Sequence, residues 1–133
     1  AKKRRGGDGS IMLLQDVRDL IASSIPSVWT LEALLLMRRV PEREWREPEL
    51  IRELRGSALV VSNALRALTA AGLVLETSPG CFCYRPARAE LGTTVDQIAA
   101  AYLERKYAVT QAILAAPNDR IRTFADAFRI KKD

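Results

Sequence analysis

The sequence predicts a mainly α-helical chain with one small β-hairpin in its middle, and three observations support this fold class. Apolar residues recur at three- and four-residue intervals over most of the chain, which is the period of an amphipathic helix. Two β-prone runs, 73–75 and 81–84, flank a Pro79-Gly80 turn and predict a hairpin. Capping residues and prolines divide the remaining residues into separate helices.

Length and composition indicate a single globular domain. The chain has 133 residues, of which 48% are hydrophobic and 28% are charged, so it can bury one core. We expect residues 1–10 to be a flexible basic tail and residues 11–133 to be the domain. No apolar run approaches the roughly 20 residues that a membrane-spanning helix needs, and no long apolar segment follows the basic N-terminus as in a secretory signal. We therefore expect a cytoplasmic protein without a membrane partner.

The first two helices are predicted from apolar periodicity and from their end signals. An aliphatic stripe predicts a first helix over 12–24. This helix ends before Pro26, because proline disfavours helical conformation in the residue that precedes it. Ser27 is a favourable N-cap residue and begins a second helix that reaches Val40. Apolar residues lie on nearly every side of the second helix, so we expect it to be central and buried.

The centre of the chain, residues 47–86, carries the most informative pattern. A short helix begins around Pro48, because proline is favoured in the first turn of a helix. Ser57 then caps a helix over 57–71, and Gly72 ends it because glycine adopts a left-handed backbone conformation without strain. The inward face of the helix 57–71 is predicted to consist of Val61, Ala64, Leu65 and Leu68.

Helix, tight turn, helix and hairpin is the element order of a winged helix-turn-helix domain. The stretch LRALTAAGLV resembles the end of a winged-helix recognition helix. It matches the pattern L-x-x-L-x-x-x-G-L-V at Leu65, Leu68, Gly72, Leu73 and Val74. The resemblance covers roughly the middle third of the chain. It implies a helix-turn-helix at about 48–72 and a wing at about 73–86, with a short third strand at 44–46 pairing with the wing.

Two further helices are predicted after the wing, so the expected fold is a winged helix-turn-helix with extra N- and C-terminal helices. We expect a long helix over 94–115, stopped by Pro117, and a last helix over 119–130. The layout is similar to that of transcriptional regulators of the multiple-antibiotic-resistance (MarR) and PadR types, in which terminal helices pack against a partner copy. This implies a homodimer, the alternative being that these helices close the core of one chain. The candidate dimer contacts are Val95, Ile98, Tyr102, Val109, Ile113, Phe124 and Phe128.

The sequence offers little chemistry for catalysis, so we expect no enzyme activity, no cofactor and no metal. It contains no histidine, and it lacks motifs such as a P-loop or a metalloprotease signature. The two cysteines, Cys81 and Cys83, are alternate residues of one predicted strand and should lie side by side. We expect them to be small hydrophobic residues of the wing. The alternative is a redox sensor, which requires both thiols to be accessible.

The leading functional interpretation is a transcriptional regulator whose partner is double-stranded DNA. The net charge of +5 favours a polyanionic partner. The outward residues of the helix 57–71 offer amide, hydroxyl, guanidinium and methyl groups that can contact base edges. Residues near its N-terminus and at the base of the wing can bind phosphate. The candidate DNA-binding residues are Arg55, Ser57, Ala58, Ser62, Asn63, Arg66, Thr69 and Arg85.

The alternative function is a winged-helix adaptor that binds another protein without reading DNA. The wing tip, residues 78–80, carries no Lys or Arg. A regulator needs positive charge around Ser62 and Arg66, whereas a neutral or acidic face with Leu59 in an exposed apolar patch favours the adaptor. Residues 1–10 are either a solvated terminus without a binding role or an additional basic arm that reaches DNA. The sequence does not identify an operator or a small-molecule effector.

Overall fold

The computed structural model describes residues 14–115, which form a helical domain with a small antiparallel sheet. The helices are α1 (Gln15–Ser24), α2 (Val28–Arg39), α3 (Glu47–Leu54), α4 (Ala58–Ala70), α5 (Ala89–Glu104) and α6 (106–115). The strands are β1 (Trp45–Arg46), β2 (Val74–Ser78) and β3 (Cys81–Tyr84). This confirms the predicted class, mainly α with a small hairpin. The predicted tail 1–10 and the predicted helix 119–130 lie outside the described residues.

Local capping interactions fix the starts of three helices. The Ser27 hydroxyl accepts a hydrogen bond from the Thr30 amide at the start of α2, and the N···O distance is 3.1 Å. The Ser57 hydroxyl does the same for the Val60 amide at the start of α4, also at 3.1 Å. At α3 the roles are reversed, since the Glu49 carboxylate accepts from the Arg46 amide at 3.0 Å. The two predicted serine caps are therefore confirmed.

The end of α4 turns the chain into the hairpin. Gly72 has a φ of 77°, the left-handed conformation predicted for it. The Leu73 amide donates to the Leu68 carbonyl at 3.0 Å, and the Gly72 amide donates to the Thr69 carbonyl at 3.1 Å. This arrangement satisfies carbonyls that the helix itself leaves free. The chain therefore enters β2 directly after the helix.

The sheet has the strand order β1-β3-β2, and both neighbouring pairs are antiparallel. Trp45 pairs with Phe82, so the predicted third strand joins the hairpin as expected. Gly80 has a φ of 80° at the tip. The pairing shifts between Glu76 and Ser78, which leaves an irregularity beside the turn. The hairpin is thereby anchored to the chain segment that leads into α3.

The core lies between α2, α4 and the sheet and extends to α1 and α5. α2 packs against α4, and α1 packs against α5. α2 contributes five buried residues, which confirms its predicted central position. The core includes Ile21, Leu31, Leu34, Met37, Trp45, Leu50, Leu65, Leu68, Val95 and Ile98.

Two predicted helix boundaries are wrong. The first helix begins at Gln15 and not at residue 12, because Leu14 has an extended backbone with φ −59° and ψ 150°. The predicted single helix 94–115 is two helices, since α5 starts at Ala89 and Arg105 is non-helical with φ −135° and ψ 59°. The Arg105 amide closes α5 by donating to the Ala101 carbonyl, and its carbonyl accepts from the Val109 amide at 3.1 Å. The break therefore leaves the backbone of Arg105 hydrogen-bonded on both sides.

Four of the candidate dimer contacts are buried within this chain. Val95, Ile98, Val109 and Ile113 each have 0% of their surface exposed and belong to its core. The apolar stripe of these helices therefore faces the chain's own core, which is the alternative that the sequence left open. Tyr102 is half-buried, and its hydroxyl donates to a Glu32 carboxylate oxygen at 2.8 Å. Phe124 and Phe128 lie outside the described residues.

Among the residues that the structure describes, no single helix is both long enough and apolar enough to cross a membrane. The helices α1 and α2 meet that requirement only when they are taken together, and they are bent by 112° relative to each other.

Candidate nucleic-acid interface

A tight turn after α3 leads into α4. Arg55 caps the C-terminus of α3 with φ 58° and ψ 35°, which is left-handed backbone. Gly56 follows and lies close to the Trp29 ring, since a Cβ built on Gly56 would be 3.2 Å from a ring carbon. Ser57 then caps α4. Only these three residues separate the end of α3 from the start of α4, so the turn is short.

The structure divides α4 into the two faces that the sequence predicts. Val61, Ala64, Leu65 and Leu68 are buried, as expected. On the other side the candidate residues Ala58, Asn63, Arg66 and Thr69 are exposed, and Ser62 is half-buried. The Arg66 guanidinium donates to the Ser62 hydroxyl at 3.4 Å. This outward face thus brings five of the eight candidate DNA-binding residues onto one helix.

The remaining three candidates lie off that face. Arg55 and Ser57 are exposed at the N-terminal end of α4, where free backbone amides favour a phosphate. The Ser57 hydroxyl already accepts from Val60, yet its own hydrogen is available to an acceptor. Arg85 is exposed directly after β3, at the end of the hairpin opposite its tip. A partner that contacts both α4 and the hairpin tip on one flat surface would therefore not reach Arg85.

A groove of about 390 Å³ runs between α4, the hairpin and the start of α3. It is lined by Glu47, Ser62, Leu65, Arg66, Thr69, Ala70, Glu76 and Phe82. Sequence reasoning missed the two glutamates at this site. Glu76 pairs across the hairpin with Phe82, so the strand register is the signal that would have found it. Glu47 directly follows β1, so the pairing of β1 with β3 brings it towards the hairpin.

The two glutamates have local structural partners. The Glu76 carboxylate accepts from the Gly80 amide at 3.0 Å and so holds the hairpin tip. Glu47 is in the first turn of α3, where negative charge favourably meets the helix dipole. Their carboxylates still lie beside Arg66, so the groove carries more negative than positive side chains. Phosphate is therefore disfavoured inside the groove.

Several arginines near the helix pair are held by other contacts. The Arg43 guanidinium lies over the Trp45 ring at 3.6 Å from its centroid and within 3.6 Å of the Glu49 carboxylate. The pKa of Glu49 is lowered, chiefly because its carboxylate accepts from the Arg46 amide. Arg38 forms an ion pair with Asp96 at 2.9 Å. Arg38 and Arg43 therefore neutralise neighbouring carboxylates, and less of their charge is available to a polyanion.

The charge of the described residues is balanced. Between residues 14 and 115 twelve Lys or Arg face twelve Asp or Glu, so the net charge of +5 belongs entirely to residues 1–13 and 116–133. Leu59 is 69% exposed on α4, and Leu75 is exposed on β2. Arg66 is the one charged residue of α4, and Arg55 adds a second exposed cation at the turn that precedes this helix.

The cysteines do not form a redox-sensing pair. Both are free thiols, but Cys83 is only 1% exposed and Cys81 is half-buried. A sensor with two accessible thiols is therefore excluded, and the cysteines pack as small hydrophobic residues of β3. No group of three or more Cys, Asp or Glu side chains within residues 14–115 is arranged to hold a metal ion.

Comparison with known proteins adds no relative. No protein family, no curated protein and no solved structure matches this chain. The residues of α4 and the hairpin are therefore the basis for a functional proposal.

Proposed function

We propose that this chain is a winged helix-turn-helix protein that binds duplex DNA through α4. The observation that carries the proposal is the outward face of α4, on which an amide (Asn63), a guanidinium (Arg66) and hydroxyls (Ser62, Thr69) stand together on one rigid helix. Asn pairs with adenine and Arg with guanine in the major groove. The helix projects after a tight turn, as a reading helix must in order to enter that groove.

The charge of the described residues does not favour phosphate binding and therefore restricts the proposal to a particular form. The described core is neutral, and phosphate is disfavoured in the groove between α4 and the hairpin by Glu47 and Glu76. Non-specific attraction to DNA comes mainly from phosphate neutralisation by Lys and Arg. We therefore assign that attraction to the basic terminal segments and assign base reading to α4. Such a division gives weak non-specific binding by the core alone.

The test begins with identification of a binding site. The full chain is mixed with fragmented genomic DNA, bound fragments are sequenced, and affinity for the enriched duplex is measured by fluorescence anisotropy. Arg66→Ala is expected to lose about 1–3 kcal/mol of binding free energy and to relax specificity at one base pair. Asn63→Ala should behave in the same way at a different base pair.

Arg18→Ala is the matched control for this test. Arg18 is an exposed arginine on α1, which packs against α5 and carries none of the candidate residues. Its replacement removes the same charge and should leave affinity for the enriched duplex nearly unchanged. The proposal is refuted if no duplex is enriched. It is also refuted if the Asn63→Ala and Arg66→Ala variants bind the enriched duplex with the affinity of the unaltered chain.

A winged-helix adaptor is the second candidate, favoured by the exposed Leu59 and the acidic groove. The two functions differ in their response to salt. Duplex binding weakens steeply as salt rises, whereas docking on a protein through Leu59 is apolar and changes little. An adaptor is indicated if the chain binds no duplex even at low salt. In that case Leu59→Asp, and not Arg66→Ala, should abolish association with the partner.

A further inference from the structure

The turn between α3 and α4 has its glycine at an unexpected position. The left-handed residue of this turn is Arg55, with a φ of 58°, although glycine adopts that conformation without strain. Gly56 comes next, and its own φ is not positive, unlike those of Gly72 and Gly80. The backbone conformation therefore does not require a glycine at position 56.

The side chain of Trp29 gives the reason for this glycine. A Cβ built on Gly56 would lie 3.2 Å from Cζ3 of the Trp29 ring, 3.4 Å from Cε3 and 3.6 Å from Cη2. A separation of 3.2 Å is closer than two carbon atoms normally approach, since their optimal distance is about 3.5–4.0 Å. Because Gly56 has no Cβ, the backbone of the turn can lie directly against the indole ring.

This contact links the start of α2 to the start of α4. Trp29 is in the first turn of α2, which packs against α4. Gly56 directly precedes Ser57, whose hydroxyl caps α4 by accepting from the Val60 amide. Trp29 is 39% exposed and lies outside the buried core. The ring therefore contacts the turn at the surface of the domain, one residue before the cap of α4.

We propose that Trp29 is a positioning residue, which holds the start of α4 in place through its contact with Gly56. The inward face of α4 is fixed by the core, whereas the turn that precedes this helix is at the surface and depends on the indole contact. Arg55 and Ser57 flank Gly56, so a displaced turn would move two candidate phosphate contacts. The effect on duplex affinity rests on the proposed function, but the effect on the turn does not.

Amide hydrogen exchange in the full chain tests the effect on the turn without DNA. The probe is the Val61 amide, which donates to the Ser57 carbonyl at 3.1 Å in the first turn of α4. Gly56→Ala places a methyl group against the ring and should speed exchange of this amide roughly tenfold. Adding Trp29→Phe should reverse most of the increase, because a phenylalanine ring is too short to reach the positions of Cζ3 and Cη2. Gly92→Ala adds the same methyl group within α5 and is the control, which should leave this amide unchanged.

Fluorescence anisotropy with the enriched duplex measures the consequence for binding, under conditions in which every variant is fully folded. Gly56→Ala should weaken duplex affinity about tenfold. The double variant with Trp29→Phe should recover most of that affinity, and a loss of stability alone does not produce such a recovery.

The two measurements distinguish the outcomes. Unchanged exchange in Gly56→Ala would show that the indole swings aside without moving the turn, and it would overturn the positioning role. The same conclusion follows if Trp29→Phe does not reverse the change. Faster exchange with unaltered duplex affinity would overturn a role for Trp29 in binding. Faster exchange that Trp29→Phe reverses, in a chain that binds no duplex, supports the positioning role and refutes the proposed function instead.

Discussion

Arg55 is the residue whose backbone conformation is least expected from its side chain. Within residues 14–115 it is the only non-glycine residue with positive φ. The left-handed conformation costs an L-residue roughly 1–2 kcal/mol. The Arg55 side chain is exposed at the turn that presents α4. A guanidinium thus occupies a position where glycine would be more stable.

Replacement of Arg55 should separate stability from binding. Arg55→Gly is expected to raise the free energy of unfolding by about 1 kcal/mol, because glycine carries no left-handed strain. It should also weaken duplex binding, since a phosphate-binding cation is lost. Arg55→Ala is the control, because it removes the charge but keeps the strain. Urea unfolding and anisotropy measure the two effects, and a destabilised Arg55→Gly variant would contradict this account of the turn.

Tyr102 provides a prediction about alkaline pH. Burial, and then the hydrogen bond that its hydroxyl donates to Glu32, raise the pKa of Tyr102 to about 12 from an ordinary value of 10. A raised pKa means that the fold prefers the protonated phenol. Its contribution to stability is therefore complete below pH 10 and is lost as pH rises through 12.

Urea unfolding below pH 10 and again between pH 10 and 12 measures this loss, together with a phenolate absorbance titration. The Tyr102→Phe variant lacks the ionising group and should lose less stability over the same interval. Equal losses in the two proteins would show that the link between Tyr102 and Glu32 does not stabilise α5 against α2.

At the scale of elements, replacing two glycines of different conformation by alanine is expected to change stability in opposite directions. Gly72 ends α4 with a φ of 77°, and a Cβ there would also lie 3.4 Å from the Ala87 Cβ. Gly72→Ala should therefore destabilise the chain by roughly 1–2 kcal/mol. Gly92 lies within α5, and a Cβ there would make only ordinary contact with Pro86, at 3.6 Å or more. Gly92→Ala should stabilise by up to about 1 kcal/mol.

Thermal unfolding of both variants checks this pair. They carry the same chemical change, so any general effect of an added methyl group cancels in the comparison. If both variants lose stability, the conformational argument for Gly92 is incorrect. If neither does, the helix end at Gly72 is more tolerant than its backbone conformation indicates.

Elements defined by local interactions were predictable from the sequence. Ser27, Ser57 and Gly72 signal helix ends through bonds to residues only a few positions away, and all three signals are confirmed. The break at Arg105 was not predictable, because neither proline nor glycine lies there and the residues on both sides suit a helix. The helix that follows the break is packed into the core, since Val109 and Ile113 are fully buried.

The same distinction applies to the candidate site. The two faces of α4 follow from a helical period and were correctly assigned. Glu76 lies opposite Phe82 in the predicted hairpin and Glu47 follows the predicted strand 44–46, but the periodicity of α4 shows neither the strand register nor the groove that these residues line. Periodicity also identifies an apolar stripe without identifying what covers it. For that reason the sequence left open whether Val95 and Ile98 face a partner or the chain's own core, where the structure places them.

For the whole molecule, the distribution of charge separates the core from the terminal segments. Replacing Lys2, Lys3, Arg4 and Arg5 by serine should weaken binding to random duplex. It should also reduce the slope of log K against log salt by up to about 3 to 4, since each phosphate contact contributes about 0.9. Arg66→Ala, the control, should change the slope by only about 1. An unaltered slope in the serine variant would show that residues 1–10 do not contact DNA.

The central position of β3 has a mechanical consequence. β1 is held in the sheet only by its pairing with β3, and its last residue, Arg46, also caps α3. A force that displaces the hairpin is therefore transmitted through β1 to the start of α3. The turn after α3 leads into α4, and the other end of α4 continues directly into β2. The hairpin is therefore connected to both ends of α4, through β1 and α3 at one end and through β2 at the other.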